Sequence, residues 1–408
     1  MALPAQYTAP MVAPLTGIRV LDFTRYQQGP FASVMLGDMG ADVVKVEDPA
    51  GEFGRRMWKE PDGFSAFYES MNRGKRSICI DLRKPGAAEL ILELVPQFDV
   101  VMENFRPGTM DRWGVGYDAL RGANPKLVYG QATGWGTRGP RASDPSFDQI
   151  AQAFSGYAMH SGGGPGHTPE ISYPGIADQT GAMNFAFGIV TALLARERTG
   201  IGQKVEVSLY GTQLAAQAPE LLHVLHFGQE RPREFRAAPT VGHYKSSDDQ
   251  WVMFVGIDQK FWPRLCRALG MAELEHDPRF ARGFARWTNR SVLEPIIEQA
   301  FAERTADEWL ARLHEADVPA SIVQDYAAVA DDEQARANDY IVEQEHPTFG
   351  PQRVIGLHVQ LSETPGAVGA PAPDLGVHSR EVLQEAGLPH ERIDALIDEG
   401  VVLARTKA

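Results

Sequence analysis

Gly17-Ile-Arg-Val-Leu-Asp-Phe-Thr24, then Gln28-Gly-Pro30 and a run to Gly40, then Ala41-Asp-Val-Val-Lys-Val-Glu47: the fold is decided in this opening stretch. The two outer segments are short and apolar, as strands buried on both faces are. Between them, Pro30 sits where a helix begins, a position at which its missing N–H costs nothing, and Gly40 ends the helix. Two strands joined by one helix make a βαβ unit with a parallel, right-handed crossover. The alternation continues outward. Arg76–Asp81, Asp99–Glu103 and Lys126–Gly130 read as further strands, Pro85–Phe98 as a helix, and Gln203–Tyr210 as a strand alternating in period two. The pattern predicts an α/β fold with a Rossmann-like, doubly wound sheet covered on both faces.

From His243 the texture changes. His243–Val255 reads as two strands around an Asp-Asp-Gln turn, followed by helices at 259–270, 288–302 and 305–317. Thr305-x-x-Glu308 forms a capping box. The expected organisation is a large α/β domain over 14–228, a smaller α+β domain over 229–325, and a linker with C-terminal part over 326–408. The first fourteen residues form a Pro/Ala-rich tail, and Gly228–Pro239 a charged linker.

Composition narrows the function classes. The chain has 408 residues, 43% hydrophobic and 23% charged, with a net charge of −14 and no Lys/Arg block. Such a balance argues against nucleic acid or an anionic membrane as partner. The two cysteines, Cys79 and Cys266, form no CxxC and stand in apolar contexts, as inert thiols of a reducing compartment do. No signal-peptide pattern opens the chain, so the expected location is cytoplasmic. His223-x-x-His226 has no third ligand nearby, so no metal is expected.

A second stretch carries the chemistry. In Ile171-Ser-Tyr-Pro-Gly-Ile-Ala-Asp178, the Pro-Gly turn and the acid precede a long run that is uncharged until Arg196. With apolar residues on nearly every face, that run reads as a buried helix, and Asp178 stands at its mouth, where free N–H groups stabilise a carboxylate. Two readings stay open there, an N-cap and a positioned nucleophile. Glu103-Asn-Phe-Arg-Pro-Gly108, continuing to Arg112-Trp113, follows a strand's carboxyl end, where open α/β sheets bind ligands. Its guanidiniums suit phosphate and its aromatic rings a base. Asn72–Arg76 and Arg83-Lys84 add positive charge to the same region, which points to a phosphorylated ligand. Gly134-Trp-Gly-Thr-Arg-Gly139 matches a dinucleotide fingerprint in spacing only. Pro140 and Pro145 follow it, so no continuous helix presents its N-terminus to a pyrophosphate. The glycine-rich Ser161–Gly166 is a candidate mobile flap.

Read in order, these segments resemble the class III CoA-transferase family, which includes the formyl-CoA and carnitine CoA-transferases. The matching motifs are Leu21-Asp-Phe-Thr…Gln28-Gly-Pro30, Gly40–Glu47, Lys75-Arg-Ser-Ile-x-x-Asp-Leu82, Glu103-Asn-Phe-x-Pro-Gly108, Gly134-Trp-Gly-x-x-Gly-Pro140, Thr199-Gly-x-Gly-Gln-x-Val205, Asp277-Pro-Arg-Phe280 and Leu375-Gly-Val-His378. The resemblance implies an interlocked, ring-like homodimer whose large domain is built from both ends of the chain. It implies that Asp178 is a catalytic nucleophile that moves CoA from an acyl-CoA to a carboxylic acid through a mixed anhydride and an aspartyl-CoA thioester, with no permanently bound cofactor. It further implies that Gln27 and Gln28 line the acyl and pantetheine site, and that Asn104, Phe105, Arg106 and Arg112 hold the nucleotide end with Arg83 and Asp148 contributing. The related 2-methylacyl-CoA racemases carry a His where this chain has Phe147, and a phenyl ring cannot carry a proton. A racemase or a non-catalytic CoA-ester-binding protein is the alternative. The run of glycines that formyl-CoA transferases carry is absent between 228 and 260, so oxalate is not implied.

Overall fold

Val20 and Leu21 point to opposite sides of one strand, as do Val43 and Val44, Val100 and Val101, and Val128 and Tyr129, and each side ends in a separate apolar core. This double burial makes the sheet parallel and covered on both faces. In the computed structural model, which describes residues 12–230 and 236–405, the strands are β1 (Arg19–Asp22), β2 (Asp42–Glu47), β3 (Lys75–Ile80), β4 (Val100–Glu103), β5 (Val128–Thr133) and β6 (Lys204–Ser208). They run parallel in the order β3-β2-β1-β4-β5-β6, that of the doubly wound dinucleotide-binding sheets. The order reverses between β1 and β4, leaving a crevice at their carboxyl ends. The opening tail and part of the 228–239 linker lie outside the described residues.

The chain divides into two compact units, one holding the described residues up to Glu230 together with those from Arg336, the other those between. In the second unit β7 (Val241–Lys245), β8 (Trp251–Val255) and β9 (Ala320–Ile322) form an antiparallel sheet. Tyr244, Phe254, Phe301 and Trp309 stack in its core. Thr305 accepts from the Glu308 N–H while Glu308 accepts from the Thr305 N–H, completing the capping box. In the first unit β10 (Ile341–His346) pairs with β11 (Gly350–Ile355), and the two-residue β12 (Val402–Leu403) adds antiparallel to β3. Gln203–Tyr210 was expected as one strand. It ends at Ser208, whose hydroxyl caps the next helix at Gly211 N–H and so stops the alternation.

The central helix, Ile176–Thr199, lies on one face of the sheet beside helix Gln28–Asp38. Gly130 in β5 makes the seating possible: a Cβ there would come within 2.7 Å of Phe185 and Ile189. The expectation of a helix buried all round does not hold within this chain. Phe185, Ile189 and Leu193 are buried, but Met183, Phe187, Val190 and Leu194 form an exposed stripe, Phe187 being 72% exposed. The spacing of 183, 187, 190 and 194 keeps them on one helix face.

Beneath the crevice lies a buried ionic platform. Lys45, fully inaccessible, pairs with Glu52 and donates 2.9 Å to the Thr24 carbonyl. Lys75 donates to Asp22 at 3.0 Å, to the Pro30 carbonyl and to Asn72. Glu47 accepts from Arg55 Nε and Nη2 and from the Ser77 hydroxyl. Every charge has a partner, as buried ions require. Lys45→Met leaves Glu52 uncompensated, and urea denaturation should show a loss of about 3–5 kcal/mol. Lys245→Met, which breaks an exposed pair with Asp249, should cost under about 1 kcal/mol. Equal effects would contradict the platform's role.

Candidate active site

The crevice between β1 and β4 is bridged by a reciprocal pair of hydrogen bonds. The Arg25 N–H donates 2.8 Å to Asn104 Oδ1, and Asn104 Nδ2 donates 2.7 Å to the Arg25 carbonyl. The next residue, Tyr26, has φ of 66°, a conformation that a residue bearing a Cβ adopts only when its surroundings impose it. Its N–H is held by Glu52 at 3.0 Å, so the Lys45–Glu52 pair fixes the backbone at the site. From there the chain enters helix Gln28–Asp38. Gln27 Nε2 donates 2.9 Å to the Pro174 carbonyl, just ahead of the central helix. Gln28 is buried against Gly181, one turn along that helix.

Asp178 is the third residue of the central helix, and its N-cap is Gly175, in a left-handed conformation with no side-chain hydrogen bond. The N-cap reading of Asp178 is therefore corrected. Its own N–H is satisfied by Asp148, at 2.9 Å. Asp148 is buried and its second oxygen accepts from Gln152, which grips the backbone of Ser172 through both its amide atoms. With the helix end served from elsewhere, the Asp178 carboxyl receives no hydrogen bond from the described residues and lines a cleft with Arg25, Tyr26, Gln28, Asn104 and Phe147. Burial, and after it the like charge of Asp148, push that carboxyl up to about 7. Phe147 meets Tyr26 edge-on across the cleft, ring centres 5.5 Å apart.

A second cavity opens at the carboxyl ends of β1, β2 and β3. Arg25, Lys45, Glu52, Arg83, Phe105 and Trp113 are among its walls. Phe105 and Trp113 pack edge to face at 5.0 Å. The loop that bears them is anchored by Glu103, a buried carboxyl accepting from the Phe105 N–H, Tyr129 and Gln131. Burial raises it to about 7.

Of the residues singled out in the sequence, Gln28, Asn104, Phe105, Arg106 and Asp178 line the Asp178 cleft, while Gln27 braces its edge. Arg83 borders the second cavity, largely exposed and paired with Asp81. Arg112 lines neither and hydrogen-bonds Thr109. Asp148 faces the helix N-terminus. Arg25 and Tyr26 escaped the sequence reading. The signal was their place directly after β1, but only the strand order shows that β1 borders the crevice. The Gly134–Gly139 loop is followed by no helix until Asp148, so it offers no dinucleotide cradle.

Comparison with known proteins places the chain in a family. Residues 15–379 match the model of CoA-transferase family III. The chain is 33% identical to a succinyl-CoA–D-citramalate CoA-transferase of Chloroflexus aurantiacus, covering 91% of this chain and 94% of that one. It is also 33% identical to a succinyl-CoA:glutarate CoA-transferase of Mus musculus, covering 95% and 90%. Among solved structures it is similar to Rv3272 of M. tuberculosis, with a TM-score of 0.82 and 32% identity over 91% of this chain and 99% of that one. The chain belongs to CoA-transferase family III, and it is an enzyme that transfers CoA between acids.

Proposed function

We propose that Asp178 carries the acyl group and then the CoA in turn. The observation that carries this reading is the Asp178 carboxyl itself, unbonded in a cleft while a different acid serves its helix end. Its Oδ attacks the thioester carbonyl of the acyl-CoA donor and the C–S bond breaks, giving an Asp178–acyl anhydride and a CoA thiolate. The thiolate attacks the Asp178 carbonyl carbon, releasing the donor acid and leaving an aspartyl-CoA thioester. The acceptor carboxylate attacks that thioester, regenerating the thiolate and forming a second anhydride. The thiolate then attacks the acceptor's acyl carbon, and Asp178 leaves as a carboxylate. Each step exchanges one activated acyl group for another, so no nucleotide hydrolysis is required. Exclusion of water matters because it would hydrolyse the anhydride.

On this reading Gln28, Asn104, Phe105 and Arg106 line the path of the thioester arm, and the cavity walled by Phe105, Trp113 and Arg83 takes the nucleotide end. Phe147 stands at the cleft where a racemase would need a base. The acting unit is a homodimer, interlocked as in the family. The exposed stripe Met183, Phe187, Val190 and Leu194 is continuous with an apolar groove that includes Met35, Met39 and Leu357, a patch of the kind that marks a protein interface. The reading places this enzyme in the cytoplasm. Among the described residues no helix is long and apolar enough to cross a membrane.

Four outcomes test the proposal. With succinyl-CoA as donor and a panel of mono- and dicarboxylates as acceptors, Asp178→Asn should lower transfer by more than about 10³-fold. A carboxyl held above its unfolded value stabilises the fold only while protonated, and that contribution is lost as pH rises from the ordinary carboxylate range through about 7. The same variant should therefore raise Tm at pH 8 and change it far less at pH 4; an active variant sinks the assignment. The acid limb of kcat/KM should fall near pH 7 in the wild type and move lower in Asp148→Asn, which keeps the acceptor for the Asp178 N–H but removes the neighbouring charge. An unmoved limb would show that Asp148 does not tune the nucleophile. Light scattering should report a dimer for the wild type and lose it in Phe187→Glu; a wild-type monomer would refute the assembly.

A further inference from the structure

Arg25 is half-buried, yet its guanidinium has no hydrogen-bond or ion-pair partner among the described residues. Its backbone, by contrast, is fixed on both sides: Asn104 holds its N–H and carbonyl, and the adjoining Tyr26 is locked at positive φ by Glu52. The chain thus invests a rigid turn in presenting one unpaired cation at the point where the sheet order reverses. Other cations near the site are placed differently. Lys45 is consumed by Glu52, and Arg83 by Asp81. Arg106 borders the Asp178 cleft alone, and Arg112 borders neither cavity. Arg25 lines both, as does Phe105.

That position at the junction has a chemical meaning if the two cavities hold the two ends of one acyl-CoA, the reading on which this inference rests. A CoA thioester with its base and ribose toward Phe105 and Trp113 and its acyl carbon at Asp178 must pass its diphosphate between the cavities. We infer that Arg25 is the diphosphate-binding residue of this enzyme, a planar fork that pairs with two phosphate oxygens at the junction. Arginine suits the task because its guanidinium keeps its charge when partly desolvated and binds phosphate through two parallel N–H groups. A lysine there would supply charge but not the fork. The competing use of a free guanidinium is recognition of a second carboxylate on the acceptor acid; the position of Arg25 on both cavities favours the diphosphate.

The test compares CoA with pantetheine, which lacks the diphosphate and nucleotide, by calorimetry on the full chain. Arg25→Gln should weaken CoA at least about tenfold, the loss of one charge-assisted contact, and leave pantetheine within about twofold. Arg25→Lys should recover part of the CoA affinity, and the salt dependence of CoA binding should flatten in Arg25→Gln. The side chain has no internal partner, so both variants should keep the wild-type Tm. The inference is overturned if CoA and pantetheine weaken together, or if CoA is unaffected while the KM of a dicarboxylate acceptor rises. A wild type that fails to bind CoA at all would bring down the CoA-transferase reading itself, whereas CoA binding insensitive to Arg25→Gln removes this inference alone.

Discussion

One hydrogen bond, from the Asp178 N–H to Asp148, sets up the site. A helix N-terminus must find acceptors for its free N–H groups, and a carboxylate three residues in would ordinarily help to do so. Because Asp148 arrives from an earlier helix and Gln152 locks it in place, the helix end is served and the Asp178 side chain is released to face the cleft. The same arrangement sets two carboxyls close together in a water-poor region, and it is burial first and that neighbour second that hold Asp178 near neutrality. On the proposed mechanism, a structural need and a chemical one are met by different acids.

The platform under the crevice works to the same end. Fully buried Lys45 and Lys75 are costly to bury unless every contact is made, and their contacts converge on the Thr24 carbonyl, Asp22, Pro30 and Glu52. Those are the groups that shape the turn from β1 into the first helix. Electrostatic energy in the core is thereby coupled to the position of Arg25, Tyr26, Gln27 and Gln28. A cleft built on such a platform is preorganised, which is what the proposed transfer through reactive anhydrides requires.

Much of this is written locally in the chain. The apolar strands of Gly17–Glu47 and the Thr305–Glu308 box depend on neighbours in sequence, and both form where the pattern places them. Asp178 could be marked as an acid at a helix mouth, but its role as cap could not be judged, because the true N-cap is Gly175 and the substitute acceptor lies thirty positions earlier. Arg25 was invisible because its place at the crevice comes from the order of strands, a property of pairing between distant segments. Arg112, marked as a basic residue beside an aromatic one, hydrogen-bonds Thr109. The exposed stripe on the central helix was read as core for a similar reason: sequence tells that a face is apolar, not whether the fold of this chain covers it.

The account turns on a covalent bond to one oxygen. Incubation with an acyl-CoA followed by hydroxylamine and peptide mass spectrometry tests it most directly, since both the anhydride and the aspartyl-CoA thioester react with this nucleophile. The account predicts a hydroxamate on Asp178 that forms only when acyl-CoA is present. An unlabelled Asp178 during active turnover, or a label on another acid, would contradict it.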